Sequence, residues 1–458
     1  MIYSLIAVIF LVGIACIALE EKIKVNKAAV AIMMAVLSWC LLLFDAVNIF
    51  SAHPHEWADL LASKCTNPLA LSFSEQCYLY IDSVIVEHLG DVSETLFFVM
   101  ASMVIIDIVD VHGGFGMIIP MIKTRKRRKF LWVITFITFF LSALLGNLAT
   151  VIIIVSLLRK IVSERADRLI YACMVILAAN AGGAWSPIGD VAMLLLWTGG
   201  NISAVHQVTH VFLPSLLMIL IPLIFATFMF PKNTLIADEG PQPVIHRLRL
   251  SRRIRISLLL IALISFAMVP ILKSLFEIPP FMVALFGLVV LWFYTDLLYR
   301  GKRGVIIENL RVDSTFSRID MSTILFFLGI LMSVAALQTV GHLNDLSVFL
   351  DTHIKEPIEL CLAFGVIAPV LDNVALVAAA KGMYALAQTG PFMPDGTFWT
   401  FLAYCAVTGG NLLIIGSASG ITVMGMEKIG FGYFLKRFSL LALLGFIAGA
   451  GLFILLNA

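Results

Sequence analysis

Two aspartates sit in the middle of apolar stretches with no counter-charge beside them: Asp190, closing ANAGGAWSPIGD (179–190), and Asp372, in LDNVA (371–375). A third, Asp107, lies inside the apolar run 94–111. Carboxylates in such surroundings are costly and mark sites by default. Neutral oxygen donors stand near them in the chain: Asn147 and Thr150 in GNLAT (146–150), Ser186 shortly before Asp190, Asn373 beside Asp372, and Ser417 in TGGNLLIIGSASG (408–420). Carboxylate, amide and hydroxyl oxygens suit a hard cation such as sodium, with Asp190 and Asp372 as its charged ligands. A carboxylate held out of water also favours its protonated form, so a proton and a cation compete for it. That competition is the simplest physical basis for exchanging one against the other. Each residue also has a plainer use. Asp190 and Asp372 are placed to cap the helices that follow them, Asn147 and Asn373 to tie their own turns together, and Asp107 lies within a turn of an aqueous interface.

The same four segments are the places where long helices would have to break. Pro187 removes a backbone donor, and the paired glycines Gly182-Gly183 and Gly409-Gly410 let the chain unwind. Unwinding frees carbonyls for a cation, while half-helix N-termini present N–H groups suited to an anion. The breaks alone leave the sign of the bound species open.

The elements that hold these breaks are membrane spans. Apolar residues make up 61% of the 458 and charged ones 13%, and the mean hydropathy is +1.02. That is more apolar surface than a soluble chain can bury. Windows at 2–19, 28–44, 94–111, 210–230, 256–272, 278–299, 321–340 and 439–457 are each long and apolar enough to cross as helices. The alternating strands of a β-barrel are lacking. The window at 2–19 has no basic start and reads as a retained span with its N-terminus outside. All but four of the 31 Lys and Arg residues (Lys64, Lys273, Lys355 and Lys381) fall in the segments 20–27, 113–129, 159–168, 231–255, 300–320 and 424–438. Placing those segments in the cytoplasm satisfies the positive-inside rule and puts both termini outside. Residues 130–160 and 357–388 then begin and end on one side each, and are predicted to be re-entrant hairpins turning at Gly146-Asn147 and at Leu371-Asp372-Asn373. Residues 113–122 and 424–437 read as interfacial helices. Cys65 and Cys77 share one predicted outer loop and are candidates for pairing, and the other cysteines read as small buried side chains.

Matching residues recur about half a chain apart. Asn147 corresponds to Asn373 (226 residues on), Gly182-Gly183 to Gly409-Gly410 and Gly189 to Gly416 (227 residues on). Such an offset is the mark of a duplication. The fold expected is an all-α polytopic membrane protein of two inverted-topology repeats, with about ten full transmembrane helices, two of them broken, and two re-entrant helical hairpins. The first repeat covers 1–230 (hairpin 130–160, broken helix 169–200). A cytoplasmic linker covers 231–255, and the second repeat 256–458 (hairpin 357–388, broken helix 398–423).

EHLGDVSETLFF (87–98), GGAWSPIGDV (182–191), LDNVALVAAA (371–380) and GSASGITVMGMEKI (416–429) together resemble the NhaD-type sodium/proton antiporters, a branch of the ion-transporter superfamily that also holds arsenite pumps and dicarboxylate carriers. The likeness runs from about residue 87 to the C-terminus. It implies a homodimer in a plasma (inner) membrane and elevator-like alternating access. It further implies that Na+ or Li+ and H+ are exchanged at the hairpin tips and unwound loops, with no cofactor. The pattern departs where the family carries Asp-Asn-Leu-Thr-Thr and two threonines after its GDV. Here stand Gly146, Ala149, Ala192 and Met193, removing a carboxylate and three hydroxyls. A hard-cation site stripped of oxygens binds sodium more weakly, which keeps a second reading open: the same fold carrying an anion or a neutral solute. A third reading, an intramembrane aspartyl protease using Asp190 and Asp372, is remote, because Pro187 stands where that pattern needs glycine. No phosphate loop, nucleotide fingerprint, zinc motif or nucleophile elbow is present, so an ATP-driven pump, an enzyme and a nucleic-acid partner are not expected.

Overall fold

The computed structural model describes residues 2–52, 72–117, 124, 126–231, 235, 251–301, 308 and 310–457. It is all-α in its regular elements, with eight helices among the described residues long and apolar enough to cross a bilayer. Two compact units can be distinguished.

The first unit comprises residues 1–96, 320–355 and 377–385. Its centre is the pair α2 (Lys27–Phe44) and α11 (Met321–Val340), with α1 (Ile2–Ala18) against α2. Small residues set the distances here. A Cβ on Gly329 of α11 would run into the backbone of Ala31, and one on Gly13 of α1 into the sulfur of Met34. Apolar surroundings give helices little reason to associate other than close packing, which small residues permit. Trp39 donates its indole N–H to the carbonyl of Met332 at 2.9 Å. Asn26 and Asp320 cap α2 and α11, and α12 (His342–His353) follows directly on α11.

The second unit comprises residues 97–319, 356–376 and 386–458. Its innermost helices are α6 (Arg165–Ala184) and α15 (Thr397–Gly409), which are buried along nearly their whole lengths. Around α6 pack α4 (Arg127–Leu145), α5 (Asn147–Ile161) and α8 (Ala204–Phe228), and against α15 pack α13 (Pro357–Ile367) and α17 (Leu440–Asn457). A separate apolar cluster joins α9 (Arg252–Phe276) and α10 (Pro280–Tyr299) to the end of α3 (Phe73–Val111), through Val104, Ile105, Phe266 and Leu288. The remaining helices, α7 (Val191–Thr198), α14 (Asn373–Met383) and α16 (Ala418–Glu427), begin at the breaks.

The breaks fall close to where glycine and proline place them: α4 and α5 meet at Gly146, α6 and α7 flank 185–190, α13 and α14 flank 368–372, and α15 and α16 flank 410–417. Three boundaries differ from expectation. Helix α3 extends over 39 residues, roughly 58 Å, because Glu75, Asp82, Glu87 and Asp91 lower the hydropathy of its first half without interrupting it. Of the interfacial helix expected at 113–122, the described part is the short turn Phe115–Met117. The interfacial helix expected at 424–437 does not form as a separate element. Helix α16 stops at Glu427, where Lys428 adopts a left-handed conformation (φ 51°). The chain then restarts at Phe431 and runs through one π-turn, Leu435–Ser439, into α17. Cys65, the candidate partner of Cys77, and most of the 231–255 linker lie outside the described residues.

The two broken helices repeat one another. Asp190 caps α7 at φ −150°, ψ 148°, and Ser417, 227 residues on, caps α16 at φ −152°, ψ 152°. A Cβ on Gly183 would lie 2.6 Å from the Gly189 carbonyl oxygen, and one on Gly410 the same 2.6 Å from that of Gly416. Each break is thus a loop whose two glycines touch backbone to backbone, which any larger residue would prise open. This packing supports the internal repeat read from the spacing.

Candidate functional site

The site is built around Asp190. Pro187 forbids continuation of α6, and the loop 185–190 folds back so that Gly189 N–H donates to Ser186 O at 3.2 Å. The chain leaves the loop in extended conformation at Asp190, which caps α7 by accepting from Ala192 N–H at 2.8 Å through Oδ1. The loop is bound to the tip between α4 and α5 by two further bonds. Ser186 Oγ donates to Ala143 O at 2.6 Å, and Asn147 N–H donates to Gly189 O at 3.0 Å.

Two amides converge on the Asp190 carboxylate. Asn147 Nδ2 donates to Oδ2 at 2.5 Å, and Asn373 Nδ2 lies 3.0 and 2.9 Å from Oδ1 and Oδ2. The two asparagines predicted as equivalents therefore meet on one carboxylate, each as the first residue of its helix, α5 and α14. Asp190 is 5% exposed, so these donors replace its water.

A second hub lies beside it. Asn180, on α6 and fully buried, uses its whole hydrogen-bonding capacity. Its Nδ2 donates to Asn411 Oδ1 at 2.8 Å and to Ser417 Oγ at 2.9 Å. Its Oδ1 accepts from Asn147 Nδ2 at 3.2 Å and from Ser419 Oγ at 2.6 Å. Ser417 Oγ also accepts from Gly420 N–H at 3.1 Å, capping α16. The start of every helix that begins at a break, α5, α7, α14 and α16, is thus joined in one buried polar network. Each helix N-terminus carries roughly half a positive charge, and the Asp190 carboxylate sits where three of them meet.

The other expected residues are placed as follows. Asp372 caps α14 by accepting from Val374 N–H at 2.9 Å, beside the Asn373 that reaches Asp190. Thr150 is fully buried on the first turn of α5, and its hydroxyl has no hydrogen-bond partner among the described residues. Asp107 is elsewhere: Arg318 holds it through Nη2 at 2.8 Å and Nε at 3.0 Å, and no bond joins it to the network. Sequence reasoning missed Asn180 and Asn411 as members of the site. The signal available was an amide inside an otherwise apolar buried run, a cost like that of a carboxylate but smaller.

Gly146 has φ 83° and ψ 156°, a region essentially reserved for glycine. Gly146→Asp, the substitution that would recreate the family's first-tip carboxylate, is therefore expected to strain the turn. It should cost about 1–3 kcal/mol of stability, read as a lower unfolding temperature, and should not by itself enhance transport.

Among the described residues no group of three or more His, Cys, Asp or Glu side chains gathers as transition-metal ligands do. A multi-pass membrane protein whose broken helices meet on a buried carboxylate and amides has the build of a secondary-active transporter. The comparisons agree. Residues 14–403 match the family model CitMHS, "Citrate transporter", and the chain belongs to that family, within the ion-transporter superfamily. It is 37% identical over 443 residues to Sodium/proton antiporter 1 of Arabidopsis thaliana, covering 97% of this chain and 70% of that protein. It is 30% identical over 351 residues to the Na(+)/H(+) antiporter NhaD of Alkalimonas amylolytica, covering 71% of this chain and 69% of the relative. The fold is shared with the YdaH transporter of Alcanivorax borkumensis, with a TM-score of 0.56 at 13% identity over 92% of this chain and 97% of that one.

Proposed function

We propose that the protein exchanges sodium or lithium for protons across the plasma membrane, with Asp190 as the group that carries either the cation or the proton. The observation that carries this reading is the Asp190 carboxylate itself, buried and held by Asn147 of one tip and Asn373 of the other. A proton or a bound cation neutralises it equally, whereas the bare charge is expensive to move through a membrane. The loaded states can therefore change sides and the empty one cannot, which is the condition for coupled exchange. On cation binding the amides of Asn147 and Asn373 turn about their Cβ–Cγ bonds to offer oxygen in place of N–H. Asp372 and Ser417 are further oxygen donors. Thr150, with its unpartnered hydroxyl, is another, and Ser186 holds the loop.

The arrangement in the membrane belongs to the same proposal. Two inverted repeats, 1–230 and 256–458, are joined by the cytoplasmic linker 231–255. Each contributes five crossings and a re-entrant hairpin, both termini lie outside, and two copies pair as a homodimer with elevator-like movement. The duplicated break geometry and the basic-residue asymmetry support it.

A second reading keeps the fold and takes an anionic cargo. The gathered helix N-termini and the glycine at the first tip favour it, and the family's description names citrate. Proteoliposomes loaded with acid and a pH-sensitive dye separate the two. On the first reading, external sodium or lithium collapses the gradient in a saturable manner and citrate leaves it unchanged. A gradient that ignores both cations, with citrate uptake in their absence, would replace the first reading by the second.

A further inference from the structure

At the far end of α5 a basic recess is only partly neutralised. It measures about 310 Å³ and is lined by Arg159, Arg165, Arg168, Met426, Glu427 and Lys428. Four cationic side chains surround one carboxylate, a surplus of three positive charges. Glu427 is 4% exposed, and its two oxygens are already taken by Arg159 Nε and Arg168 Nε, each at 2.7 Å. Those bonds, with Arg168 Nη1 on the carbonyls of Val162 and Ser163 at 3.0 and 3.3 Å, fix the guanidinium plane of Arg168 and tether that of Arg159 at Nε. Arg165 reaches the Lys428 carbonyl through Nη2 at 3.4 Å. Among the described residues the Nη atoms of Arg159, Nη2 of Arg168 and Nζ of Lys428 donate to nothing.

Oriented forks with spare N–H groups are the donors that match the tetrahedral oxygens of phosphate. The recess lies between the last turn of α5, the first turn of α6 and the end of α16, on the side the basic-residue asymmetry assigns to the cytoplasm. Anionic phospholipids face that side, and basic pockets between membrane helices hold their headgroups. Met426 supplies an apolar wall next to the charges. We infer that this recess is a phosphate-binding site whose ligand is the headgroup of an anionic phospholipid or a free phosphate. Its occupant bridges the start of α6, which carries Asn180, and the end of α16, which Ser417 caps. The inference does not depend on the cargo proposed above.

The full-length protein in phosphatidylcholine nanodiscs, with or without added phosphatidylglycerol, provides the test, with thermal unfolding followed by tryptophan fluorescence. Inorganic phosphate is titrated separately into the phosphatidylcholine discs. Arg165→Ala/Lys428→Ala removes two of the four cations and spares both Glu427 pairs. Lys436→Ala, outside the recess, is the control. The expected result is a higher unfolding temperature for wild type and the control with phosphatidylglycerol. The double variant should need about 30-fold more of the lipid for the same shift, about 1 kcal/mol per lost cation. A saturable response to inorganic phosphate, lost in the double variant, upholds the site with a soluble ligand instead. No response of wild type to either probe, or an equal response in the double variant, overturns it.

Discussion

Asp190→Asn is expected to abolish cation-driven proton movement, lowering it at least about 100-fold, or about 2.7 kcal/mol, in protein that still folds. Asparagine has nearly the shape of aspartate and keeps one oxygen for the cap on Ala192. It cannot take up a proton and cannot neutralise a cation, so the two loaded states on which exchange depends are both lost. Its own NH2, in the place of Oδ2, would meet the N–H groups of Asn147 and Asn373, a clash of donors relieved when Asn147 turns over, Asn373 still having Oδ1 to donate to. The stability cost should stay near 1–2 kcal/mol, visible as a modest fall in unfolding temperature with an unchanged elution profile. Asp372→Asn separates the roles of the two carboxylates. Asp372 is only partly buried and caps α14 through Val374, a bond asparagine can still accept, so loss of its charge should weaken apparent cation affinity more than maximal rate. Proteoliposome flux measured over a range of sodium concentrations up to saturation reads both. A dead Asp372→Asn protein beside an active Asp190→Asn one would move the exchanging group from the first break to the second tip.

Much of this site was legible in the chain because its parts announce themselves locally. Pro187 and the paired glycines mark breaks whatever surrounds them, and Asp190 stands out in an apolar run. The correspondence of Asn147 with Asn373 needs nothing but a near-constant offset, and the two residues do meet on one carboxylate. What could not be read was the pairing across elements. Asp107 looks like Asp190 in sequence, yet its cost is met by Arg318, 211 residues away and on a segment that looks like a surface loop. Asn180 looks like an incidental polar residue in α6 until Asn411 and Ser417 are brought against it. Helix ends were readable where glycine or proline sets them. They are hidden where charge alone marks the edge of an apolar run, as in the first half of α3, since charged residues lower hydropathy without ending a helix.

Asn180 is where a substitution should have its largest effect on stability. Its four hydrogen bonds join α6 to the tip residue Asn147, to Asn411 and to the cap of α16, the last three of them buried. Removing one partner of a buried bond leaves the other with its full desolvation penalty, about 1–3 kcal/mol per group. Asn411 Oδ1 loses its donor outright, while Ser419 keeps only Ser417. Asn180→Ala should therefore cost on the order of 3–5 kcal/mol, the cavity adding to the unpaired groups. Asn180→Leu tells the two contributions apart. Leucine refills the volume but offers no polar atom, so if packing were the whole role of Asn180 it would recover most of the loss. On the network reading it recovers little, because the stranded amide and hydroxyls are still buried against an apolar side chain. Unfolding temperature in detergent reads this directly, and sodium-dependent flux should fall with it, since the network that orients Asn147 towards Asp190 is the one that anchors the second break. Full stability in Asn180→Leu would reduce the second hub to filler and leave Asp190 with its two amides as the entire site.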